Sequence, residues 1–320
     1  MSNKIDCIVS LIGKNPLPSF ISILGHLESN LKVILVYTEA TKNNIGTQRV
    51  AQNIKEVLLE KNPEIKVFLE SCDKSNPLEI NRAVDRILKH IENDTKKKDK
   101  NFEKGEFLLD YSSGTKAMSA VFYDRVINYN SNELYTLVSY VDDNEEILTI
   151  FSKKQNVEKC ITIEDVMAGK DISILDIARL HGYKLKDSSV VEKKCNSGIK
   201  YIKVNGKIKF VNSVTGNEIE VDEVALSKGS LVLCFDSEAQ DVKGKKFELF
   251  RIKYFANKLG GNRSKFVYRS NFLESERKSH KTKLKKDIAR AYEYDMVDRC
   301  YLIDEGESFK EFIENDFVTL

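Results

Sequence analysis

Short apolar runs alternate along the chain with longer stretches whose apolar positions recur three or four apart. The first pattern predicts strands over 5–12, 31–38, 65–69 and 107–110, and an antiparallel pair over 133–141 and 147–151. The second predicts helices over 19–29, 44–61, 77–91 and 116–129; in the second of these, Ile45, Val50, Ile54, Val57 and Leu58 fall on one face. Residues 13–18 read as a loop that its prolines keep out of a helix, and the lysine-rich stretch 95–105 reads as a surface loop. Strands that alternate with helices predict a mainly parallel sheet with helices on both faces.

After residue 152 the pattern changes. Residues 153–169 read as a connector, and 172–183 as an amphipathic helix stopped by Gly182. Strands follow over 207–213, 217–226 and 231–236, the last two joined by the tight turn Ser227-Lys228-Gly229-Ser230. A helix over 245–259, with Phe247, Phe250, Tyr254 and Phe255 as core candidates, leads through Gly260-Gly261 to a strand over 265–269. A helix, strand and helix over 284–292, 299–303 and 308–313 close the chain. The expected class is α/β, divided as residues 1–155, a linker at 156–170, and a second domain at 171–320.

Composition narrows the function. No apolar run is long enough to cross a membrane and the N-terminus lacks a signal-peptide layout, so a cytoplasmic protein is expected. The six cysteines form no Cys-x-x-Cys pair and do not fall at ligand spacing from the four histidines, which argues against a disulfide frame or structural zinc. Net charge is +2, yet residues 239–290 hold 16 Lys/Arg against 5 Asp/Glu. A polyanion-binding face predicts such an excess. No Gly-x-Gly-x-x-Gly follows the first strand, which disfavours a dinucleotide oxidoreductase.

Two stretches carry candidate chemistry. Ser112-Ser113-Gly114-Thr115-Lys116 joins a strand end to a helix start, where outward N–H groups and the helix dipole favour an anion. Its spacing is not that of a nucleotide P-loop. In the second half, Glu220 and Asp222 share one face of a strand, and Asp236 and Glu238 one face of the next strand's end. Four carboxylates gathered there would repel unless a divalent cation, Mg²⁺ or Mn²⁺, sat among them. Taken singly, these acids could equally be solvated strand residues.

Asp110-Tyr-Ser-Ser-Gly-Thr-Lys-Ala-Met118 resembles the Gly-Thr-Lys motif of CARF domains, the CRISPR-associated Rossmann-like domains that bind cyclic oligoadenylates. That resemblance implies ligand contacts from Asn15, Thr38, Ser113, Gly114, Thr115 and Lys116. An even-membered ring has two-fold symmetry, so a homodimer with one ligand on its axis, most simply cyclic tetra-adenylate, is expected. The second half is similar to restriction-endonuclease-like cores, and the whole to the ancillary nucleases of type III CRISPR systems. Glu220-Val-Asp222 matches that family's Glu-x-Asp, and Asp236-Ser-Glu238 its acid-x-Lys pair, except that Glu238 stands where lysine is usual. The resemblance implies a metal-dependent nuclease in which Asp222 and Asp236 hold metal, Glu220 assists, and Glu238 is a ligand or base. Lys243, Lys245 or Lys253 would supply the missing positive charge, and Lys245 and Lys253 would meet nucleic acid, double- or single-stranded. Phosphates would lie on the cations of 245–290 and bases on rings such as Phe247, Tyr254, Phe266, Tyr268 and Phe272. Arg277 to Lys286 is the more exposed charge run. DNA or RNA as substrate, self-degradation of the ligand, and whether a site with Glu238 in place of lysine is active or dead stay open. The alternative from another class is a ligand-sensing regulator that binds nucleic acid without cutting it.

Overall fold

A computed structural model describes residues 5–42, 45–97, 105–129, 134–142, 146–152, 156–187, 189–195, 199–239, 242–270, 300–304 and 306–315, with 282 and 286. The expected helix 284–292, the run Arg277 to Lys286 apart from Lys286, Phe272 and most of the loop 95–105 lie outside the described residues. The chain divides into two units, 1–171 and 172–320. Both are α/β.

In the first unit, β1 (Ile5–Leu11), β2 (Lys32–Thr38), β3 (Lys66–Cys72), β4 (Gly105–Asp110) and β5 (Leu134–Asp142) run parallel. Two antiparallel strands, β6 (Ile147–Ser152) and β7 (Val157–Thr162), complete a sheet of order β3-β2-β1-β4-β5-β6-β7. The helices are α1 (Leu17–Leu24), α2 (Gln48–Lys61), α3 (Pro77–Lys97), α4 (Lys116–Ile127) and α5 (Ile163–Ala168). Alternate strand residues Cys7, Val9, Leu11, Phe107 and Leu109 pack with Ile80, Val84, Ile87 and Leu88 of α3 and Met118, Phe122 and Val126 of α4. The intervening positions turn to the other face. There α1 sets Ser19 against the Leu11 carbonyl (3.1 Å) and Ser22 against Ser139 (2.8 Å).

Two expectations are corrected here. The first helix begins at Leu17, because Pro18 falls in its first turn, where a missing N–H costs nothing, and it ends at Gly25. The stretch 157–168, expected as part of a connector, forms β7 and α5. β7 lies at the sheet's end and is exposed at most positions, so it carries no apolar pattern to betray it.

In the second unit, α6 (Ile174–Leu180) starts in a Ser173–Asp176 capping box, and the chain turns at once into β8 (Tyr183–Leu185), shortening the expected helix. Then come β9 (Lys193–Lys194), β10 (Lys200–Asn212), β11 (Glu218–Ser227), β12 (Ser230–Asp236), α7 (Val242–Gly260), β13 (Lys265–Ser270), β14 (Cys300–Asp304) and α8 (Phe309–Asn315). The sheet order is β14-β13-β12-β11-β10-β8, antiparallel from β8 to β12 and parallel from β12 to β14. Lys228 and Gly229, at φ +47° and +72°, make the β11–β12 turn.

Val232, Cys234 and Val267 form a core with Phe309 and Ile313 of α8, while Tyr268 faces α7 and donates to Glu248 at 2.5 Å. α7 buries Leu249, Ile252, Ala256 and Leu259. This overturns the expected core set: Phe247, Phe250 and Tyr254 are 65 %, 45 % and 59 % exposed, and Phe255 is half-buried. The aliphatic residues form a continuous inner stripe at helical spacing, which turns the three rings outward.

Candidate functional site

In the first unit, β1 leads to β2 on one side and β4 leads to β5 on the other, so the strand order reverses between β1 and β4. Ligand crevices of open α/β sheets form at such a reversal, beyond the strand C-termini. The loops after β1 and β4 meet there. A Cβ added to Gly13 would lie 3.1 Å from the Gly114 nitrogen, and one on Gly114 would lie 3.0 Å from Leu11 Cβ. Gly114 sits at φ +85°, where other residues are strained.

The expected contacts fall into two groups. Ser113, Gly114, Thr115 and Lys116 form the turn and the first residue of α4, with Lys116 exposed. Thr115 caps α4 by accepting from Met118 N at 3.2 Å, and its hydroxyl donates to the Lys74 carbonyl at 2.5 Å. Asn15 Oδ1 accepts from Leu17 N at 3.3 Å and so shapes the start of α1. Thr38 is buried; its N–H donates to Thr47 Oγ1 at 2.9 Å and its carbonyl accepts from Thr47 N at 2.8 Å. Thr38 also lines a cavity of about 330 Å³ with Ser71, Lys74 and Arg86. Beneath the turn, fully buried Asp110 accepts from Ser10 (2.5 Å) and Ser112 (2.5 Å). Burial pushes its carboxyl up to about 6 against the pull of those hydrogen bonds. Sequence reading passed over Asp110 as the end of an apolar strand; the signal was an acid at a strand terminus with two serines two and three residues on.

In the second unit, Asp222 and Asp236 come together where β12 ends beside the middle of β11: Asp222 Oδ2 accepts from the Asp236 backbone N–H at 2.8 Å. Asp236 is held in a two-pronged pair by Arg269 Nε and Nη2, at 2.7 and 3.0 Å. Arg269 also reaches Glu223, at 2.9 Å; Glu223 is 2 % exposed and accepts from Tyr201 Oη and from Lys203 at 3.1 Å. Glu220 pairs with Lys209 at 2.6 Å and Glu238 with Lys207 at 2.5 Å. Those lysines hold both glutamates below the usual carboxylate range. Asp222 differs. It has no ion pair among the described residues, and burial, then the Asp236 charge, raises its carboxyl despite the Asp236 N–H.

Lys207 is the residue sequence reading missed. It stands two positions before Lys209 on β10, so the strand period points both at the Glu220–Asp222 face. It brings a cation to Glu238, the position where lysine was expected in the motif. Of the lysines expected in that role, Lys245 is buried at 6 % exposure and Lys253 is half-buried, so Lys245 offers little surface to a nucleic acid. Helix α7 braces the acidic strand end: Glu248 accepts from Ser237 Oγ at 3.0 Å and from the Glu238 N–H at 3.2 Å.

The donor set suits a hard divalent cation in chemistry, since all four acids offer oxygen. In geometry, no three metal-ligating side chains converge among the described residues. The half-buried Asp222 carboxylate feels the Lys207 and Arg269 charges without pairing with either, and an added cation beside it would favour its charged form.

No protein-family model matches the chain, and no curated protein does either. Solved structures do. Can2 from Sulfobacillus thermosulfidooxidans, in complex with cyclic tetra-adenylate, superposes at a TM-score of 0.65 with 12 % identity, covering 99 % of this chain and 97 % of that one. Protein VC1899 from Vibrio cholerae gives 0.63 and 11 %, covering 98 % and 96 %. A type III CRISPR defence DNA nuclease activated by cyclic oligoadenylate gives 0.52 and 14 %, covering 95 % of this chain and 43 % of that chain, so this chain spans less than half its length. No described helix is long and apolar enough to cross a membrane. At these identities the likeness is one of fold, and this chain shares the α/β fold of Can2 and VC1899 over nearly its whole length.

Proposed function

We propose that the chain is a homodimeric, metal-dependent nuclease of type III CRISPR defence, switched on by a cyclic oligoadenylate bound at the first unit. The observation that carries this reading is the meeting of Asp222 with Asp236 beside the Lys207–Glu238 pair. The fold shared with Can2, solved with cyclic tetra-adenylate, supports the ligand half. Loops from two copies would grip the two halves of the ring through the Ser113–Lys116 turn, with Asn15 and Thr38 shaping the crevice.

Asp222 and Asp236 would hold Mg²⁺ or Mn²⁺, which when bound polarises a phosphodiester and makes water a better nucleophile. Lys207 would meet the scissile phosphate, leaving Glu238 to accept a proton from the attacking water. Glu220, held by Lys209, keeps negative charge on the same face. Arg269 fixes the Asp236 carboxylate.

Wild-type protein with cyclic tetra-adenylate and Mn²⁺ should cleave DNA or RNA. Asp222→Ala and Asp236→Ala should abolish products while sparing activator affinity. Lys207→Ala should lower the rate about 10²-fold or more. Lys116→Ala should raise the activator concentration needed. Calorimetric titration of Mn²⁺ gives a readout apart from activity, and Asp222→Ala should remove its binding heat. The ion pairs already holding Asp236, Glu220 and Glu238 favour a second reading, a sensor that binds nucleic acid without cutting it. A gel shift without products, unchanged by Asp222→Ala, would select it.

A further inference from the structure

The outward face of α7 lies outside the core, and it touches the acidic strand end through the Arg251 charge, which acts on Glu238. It presents Lys243, Phe247, Phe250, Arg251, Tyr254 and Lys258, all exposed. At about 1.5 Å per residue the stripe runs about 22 Å. Lys258 Nζ lies 5.3 Å from the Tyr254 ring centre. The one acid on the helix, Glu248, turns inward to Ser237 and Tyr268, so the stripe carries rings and cations without a carboxylate. The inner face is filled by Leu249, Ile252, Ala256 and Leu259, so no rotation of the helix could bury the rings as well.

We propose that this face is a stacking platform for the unpaired bases of a single-stranded nucleic acid, whose phosphates lie on Lys243, Arg251 and Lys258. Charge selects the occupant. A second copy docking by the same face would set cation against cation. A duplex hides its base faces, and the rings would gain nothing from it. A single strand offers both anionic charge and open π-faces. The inference deepens the nuclease reading, on which it rests, by naming the form of nucleic acid delivered to the acids that α7 braces.

Binding is measured with cleavage removed, using full-length Asp222→Ala protein, saturating cyclic tetra-adenylate and no divalent metal. The probes are a labelled mixed-sequence strand of roughly 20 nucleotides, as DNA and as RNA, and the duplex of the DNA strand, read by fluorescence anisotropy. Adding Phe247→Ala and Tyr254→Ala together should weaken the single strand at least about tenfold and the duplex less than about twofold. The unfolding midpoint should not move, since both rings are exposed. Lys258→Glu should weaken both forms and flatten their salt dependence. Equal losses on strand and duplex, or no loss, would overturn the platform. So would sedimentation showing that the double variant breaks a dimer while strand affinity holds, which would assign the face to contact between copies. A wild-type chain that never cuts yet grips the strand through Phe247 and Tyr254 would end the nuclease reading and leave the platform standing.

Discussion

Asp110 and Glu223 show how single carboxylates are placed against their own solvation. Asp110 is fully buried and its carboxyl is raised from 3.8 to about 6 by burial, so its charged form is the strained one. A raised carboxyl contributes stability below its unfolded value and loses it as pH climbs through the folded value. Asp110→Asn should therefore stabilise the chain by up to about 3 kcal/mol at pH 7.5 and not at all below pH ~3.5, read by urea unfolding at both pH values. His26 and His181 act in the opposite sense. Burial lowers both from 6.5 to about 4, so their contribution is present above 6.5 and drains away as pH falls toward 4. His181→Gln should lessen the acid sensitivity of unfolding between pH 6.5 and 4. Glu223 survives burial through Arg269, Lys203 and Tyr201. Arg269→Ala would leave that charge short of its inner partner and free the Asp236 carboxylate, costing about 3 kcal/mol in unfolding free energy.

Elements position these side chains by simple geometric rules. The β4–α4 turn is pinned by Gly114, whose φ of +85° would strain any side chain and whose 3.0 Å approach would make Leu11 shift to admit one. Gly114→Ala should cost about 1–2 kcal/mol and weaken cyclic tetra-adenylate binding, checked by thermal unfolding and calorimetry. This element was legible because Gly, Ser and Thr between an apolar strand and a helix leave few alternatives. β7 was not, because an exposed end strand carries no alternation. Nor was the facing of α7: its aromatic and aliphatic residues both recur at helical spacing, and periodicity alone cannot say which set turns inward. Lys207 was hidden for a third reason. Its partner Glu238 is 31 residues away, and strand register alone joins them.

At the scale of the molecule, each unit has its own sheet and its own core. Calorimetry should resolve two unfolding transitions. Cyclic tetra-adenylate at a hundred times its dissociation constant should raise the transition of residues 1–171, by about 2.7 kcal/mol of added stability. Ile313→Ala, which opens a cavity beneath α8, should lower the other transition alone. One merged transition that responds to both changes would show the units folding as one.

By itself, the sequence determined the alternation of strands and helices, the α/β class, the anion-suited turn at Ser112 to Lys116, and the two acids of β11 and the two at the end of β12 and just beyond it. These follow from local rules: strand and helix periods, turn chemistry and the dislike of like charges. The tertiary structure decided which cations meet which acids, which face of α7 is wet, and that Lys207, absent from the motif, stands beside Glu238. Such pairings depend on register between distant strands, and no local pattern in a chain encodes the register of its neighbour.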